Sequence, residues 1–162
     1  MLICIRNGGL LCLSIILMSC MARGPVFLES KATAAKPGHA LVYIFRENAQ
    51  PTLFGATIQI DGKEVVTLKQ CGFTWVYAKP GKRKIEAVWD SITSQEISLV
   101  SLNISDGETY YVELTGISKY LGTSYGMDHS LVGSLLSTVD AEVAEARLAK
   151  CCKFQKPLYI VY

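Results

Sequence analysis

Several chemistries are excluded by what this chain has little of. Histidine occurs only twice, as His39 and His129, far apart in the sequence, and no two cysteines stand at C-x-x-C spacing. A zinc site built in the usual way needs four such ligands in short local pairs, so none is expected. Charge of one sign is also missing. Sixteen basic against fourteen acidic residues leave a net charge of +2, too little for the basic footprint of a nucleic-acid binder. Gly122, Gly126 and Gly133 lack the strand-to-helix setting of a phosphate-cradling loop. Glu142 and Glu145 fall on a helix surface, and the strands carry no paired carboxylates for acid–base work. His39 beside Pro37-Gly38 reads as a surface histidine at a domain edge. His129 in "GMDHS" has Asp128 and Ser130 as chain neighbours, which point in different directions and so do not form a triad. The chain is therefore not expected to be an enzyme or to hold a cofactor.

Long apolar runs are absent as well. The longest, Leu10 to Met18, would rise about 14 Å as a helix, roughly half the hydrocarbon thickness of a bilayer. Preceded by Arg6 and Gly8-Gly9, it has the length of a secretory signal core. It ends at Leu17-Met18-Ser19-Cys20, which resembles the lipobox of bacterial lipoproteins. That resemblance implies cleavage before Cys20 and a diacylglyceryl group on its thiol, an anchor worth about 0.8 kcal/mol per buried methylene. The organisation expected is a signal peptide over 1–19, a lipidated tether over 20–38, a domain over 39–152 and a tail strand over 153–162. The tether expectation rests on the aperiodic "MARGPVFLESKATAAKPG" with its prolines and glycines. Met21 stands where an aspartate marks inner-membrane retention in lipoproteins, which implies the outer membrane, periplasmic face.

With Cys4 and Cys12 in the signal and Cys20 acylated, Cys71, Cys151 and Cys152 remain for an oxidising compartment. One bridge is expected, from Cys71 to Cys151 or to Cys152, against three unbonded thiols.

From residue 40 the pattern is β. "ALVYIFRE" (40–47) is a continuous apolar run, hence a central strand covered on both faces, and Arg46 at its end suggests a rim salt bridge. "GATIQI" alternates and meets Asp61-Gly62, a hairpin signal answered by "KEVVTL". "FTWVYA" and "KIEAVW" flank a turn at "KPGK" (79–82), "QEISLVSLNI" slips phase between Leu99 and Val100 as a bulge would, and "TYYVELTG" points Tyr110, Val112 and Leu114 one way. "ISKYLGTSYGMDHS" reads as loop, and residues 137–152 as one helix with Leu136, Val139, Val143 and either Ala146 or the stem of Arg147 inward. The fold class expected is mainly β: an antiparallel β-sandwich of about seven short strands with one C-terminal helix.

"ALVYIFRE", "IQIDGKEVVTL", "FTWVYAKPGKRKIEA" and "GETYYVEL", in that order, resemble a family of small bacterial lipoproteins carrying a domain of unknown function, and the middle portion resembles the PEGA type of β module. Arg83 stands where that pattern has a histidine. The resemblance implies a fold and an envelope address and no reaction. A structural or interaction module follows, an accessory subunit of an outer-membrane assembly such as a secretion apparatus, with a protein partner. The alternative is a periplasmic small-ligand or glycan binder. The contact surface expected comprises Tyr111, the basic turn Lys82, Arg83 and Lys84, and Leu158 and Ile160 of the tail strand "PLYIVY".

Overall fold

The structure, a computed structural model, describes residues 21–93, 95–125 and 127–162, and for 119, 121, 124 and 127–132 the backbone alone. The signal segment and Cys20 lie outside the described residues. Strand β1 (Ala40–Arg46) is buried along its whole length, as its unbroken apolar run requires. Ala40, Val42 and Ile44 face a core between two sheets, while Leu41, Tyr43 and Phe45 face a second core on the outside. β1 runs antiparallel to β4 (Gly72–Ala78) and parallel to β7 (Thr109–Ser124), with Leu41 opposite Thr109 and Phe45 opposite Glu113.

The remaining strands are β2 (Ala56–Ile60), β3 (Lys63–Leu68), β5 (Gly81–Val88), β6 (Ser98–Ile104), β8 (Met127–Thr138) and β9 (Lys153–Phe154). They complete a five-stranded sheet, β8-β7-β1-β4-β9, and a four-stranded sheet, β3-β2-β5-β6. The fold is a mainly β sandwich with one C-terminal helix, as the sequence implies; two of its strand pairs are parallel.

Asp61 and Gly62 both take positive φ (50° and 76°), the geometry that lets a two-residue turn match the twist of β2 and β3. The turn at Pro80-Gly81 joins β4 in one sheet to β5 in the other, so it is an arch between layers and not a hairpin. The bulge expected in β6 is also absent. β5 and β6 pair without a break from Gly81–Ile104 to Ala87–Ser98, and Leu99 simply stays on the solvent side. One exposed leucine costs less than breaking a ladder. The irregularity lies instead between Ile58 and Gln59 of β2, where the extra residue on β3 lets Val65 and Val66 both turn inward.

The stretch expected as a loop after Gly116 is the largest departure. β7 and β8 pair from Val112–Thr138 out to Ser124–Met127, whereas the β1–β7 ladder stops at Glu113. Past Gly116 the two strands therefore continue as a two-stranded ribbon. Its base is fastened by Gly116 N–H to Asn48 O (3.3 Å), Trp89 Nε1 to Ser134 Oγ (2.8 Å) and Ser98 Oγ to Ser134 O (2.6 Å).

Two helices cover the outer face. The longer, α2 (Ala141–Cys151), buries Ala144 and Leu148, an i, i+4 pair, against Leu41, Tyr43, Phe73 and Tyr111. The expected face is thus rotated: Val143 is 43% exposed, and Leu136 belongs to β8 and the inner core. The segment expected as a tether is also folded down. Ala22 N–H bonds Gln70 O (2.9 Å), and Phe154 N–H bonds Pro25 O (2.9 Å). Phe27, on the short helix α1 (Phe27–Ser30), sits edge-on to Tyr43 and Phe73 at 5.9 and 5.5 Å. A single aromatic in a socket gives no periodicity, so the sequence pattern hides it.

The tail is extended and bonds the domain's own edges. Tyr77 N–H donates to Ile160 O (2.7 Å), Tyr162 N–H to Tyr77 O (2.8 Å), Lys79 N–H to Tyr162 O (2.8 Å), and Leu158 N–H to Val65 O (2.8 Å) on the other sheet. Leu158 to Val161 nevertheless keep their side chains outward, and Tyr162 alone of these packs on the inner core. Removing residues 157–162 should therefore destabilise the domain by roughly 2–4 kcal/mol, at about 1 kcal/mol per hydrogen bond. Thermal unfolding should then fall by about 10 °C; an unchanged melting temperature would mean the strand contributes nothing to the fold.

Candidate functional site

Arg46 is fully buried, and it faces the inner core from the end of β1. The rim salt bridge is not there. The guanidinium donates to four backbone carbonyls: Nη1 to Phe54 O (2.7 Å) and Leu68 O (3.1 Å), Nη2 to Ala49 O (2.8 Å) and Pro51 O (2.7 Å). Its carbon centre lies 4.8 Å from the Trp89 ring. Burial lowers its pKa to about 10, because the charge has lost water and gained only carbonyl dipoles and a π-face, with the Cys71 sulfur acting in the opposite sense. The charge persists at neutral pH. With no exposed atom this group cannot clamp a ligand; it closes one end of the sandwich.

Tyr111, expected on a contact surface, is 6% exposed. It stacks on Tyr43 at 5.1 Å beneath α2 and donates to Glu145 Oε1 (2.8 Å). Burial and then the Glu145 carboxylate push its hydroxyl pKa up, as burial does for Tyr43, raised to about 12. Tyr110 accepts from Ser105 N–H, and Trp75 donates to Ser30 O (2.9 Å) and lies against Phe154 and Tyr77. The polar tips of these aromatics are thus bonded within the fold, with Tyr110 and Trp75 partly buried. Glu113 is buried beside Arg147; desolvation raises its pKa, and the guanidinium pulls it back only in part. Glu47 pairs with Lys150 (2.8 Å) and Glu145 with Lys31 (2.6 Å), so each of these carboxylates has its own cation.

The basic turn is largely spent on the fold. Arg83 bonds Asp61 Oδ2 (2.9 Å) and Lys79 O (2.9 Å), tying the β2–β3 turn to the arch, and Lys84 pairs with Glu86. Burial alone would raise the Asp61 carboxyl, but the Lys84 N–H and the Arg83 guanidinium hold it below the ordinary range. Lys82 is left exposed, beside Lys79. His39 Nδ1 lies 3.2 Å from Pro37 O, and His129 stands opposite Gly122 in the ribbon.

The three cysteines come together where α2 ends. Cys151 and Cys152 sulfurs are 3.9 Å apart, Cys71 Sγ approaches Glu47 O at 3.5 Å, and all three are unbonded thiols. Burial and then hydrogen bonding to Cys151 raise Cys71 to about 12, so it is not an activated nucleophile. Among the described residues no group of His, Cys, Asp and Glu side chains has the arrangement to hold a metal ion.

Among the described residues exposed apolar side chains also occur at Leu28, Leu53, Ile92, Ile97 and Leu99, but two stretches, the tail and the ribbon, bear on function. Leu158 and Ile160, expected on a contact surface, are exposed, with Tyr159 and Val161. Beside them an open groove of about 580 Å³ is lined by Lys63, Glu64, Leu158, Tyr159, Val161 and Tyr162. Sequence reasoning missed the second place, the ribbon, with Ile117, Tyr120, Tyr125 and Leu135 exposed. The alternation around Ile117 was its only signal, masked by glycines. No helix among the described residues is long and apolar enough to cross a membrane. The chain matches no protein-family model and no curated protein.

Replacing Arg46 with Met should cost roughly 3–5 kcal/mol, because buried carbonyls lose their donors. Lysine should not restore it, since one ammonium cannot reach four acceptors placed around a planar fork. Urea unfolding measures both, and a loss under 1 kcal/mol would refute the assignment.

Proposed function

We propose that the chain is a lipid-anchored envelope protein and a non-enzymatic interaction module. It serves as an accessory subunit of an outer-membrane assembly such as a secretion apparatus. Support for the anchor is the short apolar run ending at Ser19-Cys20. Support for the interaction role is the placement of the exposed tail. Met21 pairs with Gln70, just before β4, at the end of the sandwich closed by Arg46. The tail pairs with Tyr77 and Lys79, at the opposite end of the same strand. An acyl group on Cys20 would thus hold one end of the domain at the membrane and point Leu158, Tyr159, Ile160 and Val161 away from it. Lys79 and Lys82 lie at that same far end. Exposed apolar side chains rimmed by lysines are what a protein partner would cover.

The groove favours a second reading. Tyr159 and Tyr162 meet edge-to-face at 6.2 Å above Lys63 and Glu64, a setting in which a sugar ring could stack while its hydroxyls bond the polar pair.

Cys20→Ala should abolish labelling by a clickable palmitate analogue and release the protein from membranes; strong labelling of the variant would sink the anchor. The pair Leu158→Asp and Ile160→Asp should keep the melting temperature within a few degrees, both side chains being exposed. In intact envelopes it should lose the crosslinked partner that the wild type retains. Unchanged crosslinking would overturn the tail as contact surface, and loss of glycan binding on Tyr159→Ala would favour the second reading.

A further inference from the structure

The ribbon and the anchor leave the sandwich at the same end. β7 runs parallel to β1 and passes its C-terminal end, where Gly116 bonds Asn48, and Asn48 Oδ1 accepts from Gln70 Nε2 (2.8 Å). Gln70 is also the residue that bonds Ala22. β4 and β7 flank β1, and Met21 pairs beside the segment leading into β4, so the ribbon's base and the chain's entry point are roughly 15 Å apart. Because Met21 is already held in the fold, no tether separates an acylated Cys20 from the domain. Whatever the lipid enters must lie against this end.

From Ile117 to Ser124 the ribbon extends about 24 Å, a little less than the thickness of a bilayer core. It cannot cross one. A two-stranded ribbon leaves N–H and C=O groups along both edges unpaired, which hydrocarbon does not tolerate, and its sequence includes Lys119 and Asp128. The interface does tolerate it, since water and headgroups satisfy the edges. Tyrosine is the residue type suited to that depth, with an apolar ring and a polar tip. Tyr125 at the turn is fully exposed, and Tyr120, Ile117 and Leu135 are about half exposed. A lone β-ribbon is marginal in water, so a surface that covers it also explains its persistence.

We propose that the β7–β8 ribbon lies along the headgroup layer of the membrane to which the chain is anchored, as a second contact that fixes the domain's orientation. This rests on the lipid anchor at Cys20. The occupant is the lipid surface of the same membrane, since that is what the anchor brings to this end.

The test places a tryptophan at the tip of the acylated full chain, as Tyr125→Trp, in phosphatidylethanolamine–phosphatidylglycerol vesicles containing dibrominated lipid. The native Trp89 is buried and Trp75 is covered by Phe154, so the wild type supplies the unquenched baseline. The emission that Tyr125→Trp adds over the wild type should fall about two-fold relative to brominated-lipid-free vesicles, as for a ring at the interface. Mass spectrometry of the N-terminal peptide, read on the same sample, separates the two premises. An acylated protein whose Tyr125→Trp emission matches the wild type in quenching overturns the ribbon's placement and leaves the anchor standing. An unacylated Cys20 overturns both. A ribbon that crosslinks to an envelope protein and shows no quenching overturns the lipid surface as its occupant.

Discussion

A buried guanidinium without a carboxylate holds the open end of this sandwich. Two packed sheets expose the rims of their cores wherever strands end, and those rims must be closed by loops whose backbone polar groups need partners. At one end Arg46 meets that need by itself. It gathers carbonyls from the segment after β1 and from the end of β3, and it lies against Trp89, the residue that follows β5. A carboxylate partner would have fixed one contact; a planar fork in a ring of carbonyls fixes several segments at once. The cost is desolvation of a full charge, visible in the lowered pKa. A shorter or apolar residue would leave the loop carbonyls unpaired in the core.

That closure distinguishes one end of the sandwich from the other. Met21, Gln70, Cys71, Asn48 and the base of the ribbon gather around the Arg46 end, and the tail, the groove, Lys79 and Lys82 around the other. α2 runs between them over the outer face, from Asp140 to the thiol cluster, and the short segment carrying Phe27 lies across the same face. Ion pairs from Lys31, Arg147 and Lys150 to Glu145, Glu113 and Glu47 hold these covers in place. In the proposed arrangement one end meets lipid and the other a partner, and the rigid sheets between them set the spacing.

Much of the framework was legible because it depends on local rules. The unbroken run of β1 announced burial on both faces, the alternation of β2 announced one face, and Asp61-Gly62 announced a turn whose positive φ values are those observed. The tail was legible as an extended segment too apolar to leave unpaired, and its bonds to Tyr77 and Val65 follow from that. The surface was less legible. Tyr111 looked like a contact residue because period 2 says only that neighbours face opposite ways, and both faces of this strand turn out to be covered. The basic turn looked free because the sequence does not show that Asp61 lies beside Arg83.

By itself, then, the sequence determined the mainly β class, the central strand, the hairpin turn and the extended tail, since each follows from residue propensity and burial over a few neighbours. Tertiary structure alone decided the rest. It gave Arg46 carbonyls and not a carboxylate, turned a glycine-dotted stretch into a ribbon, and folded a supposed tether against Tyr43 and Phe73. Those outcomes depend on which distant segments meet, and an amino-acid pattern records a residue's own preferences without naming the partner that will satisfy them.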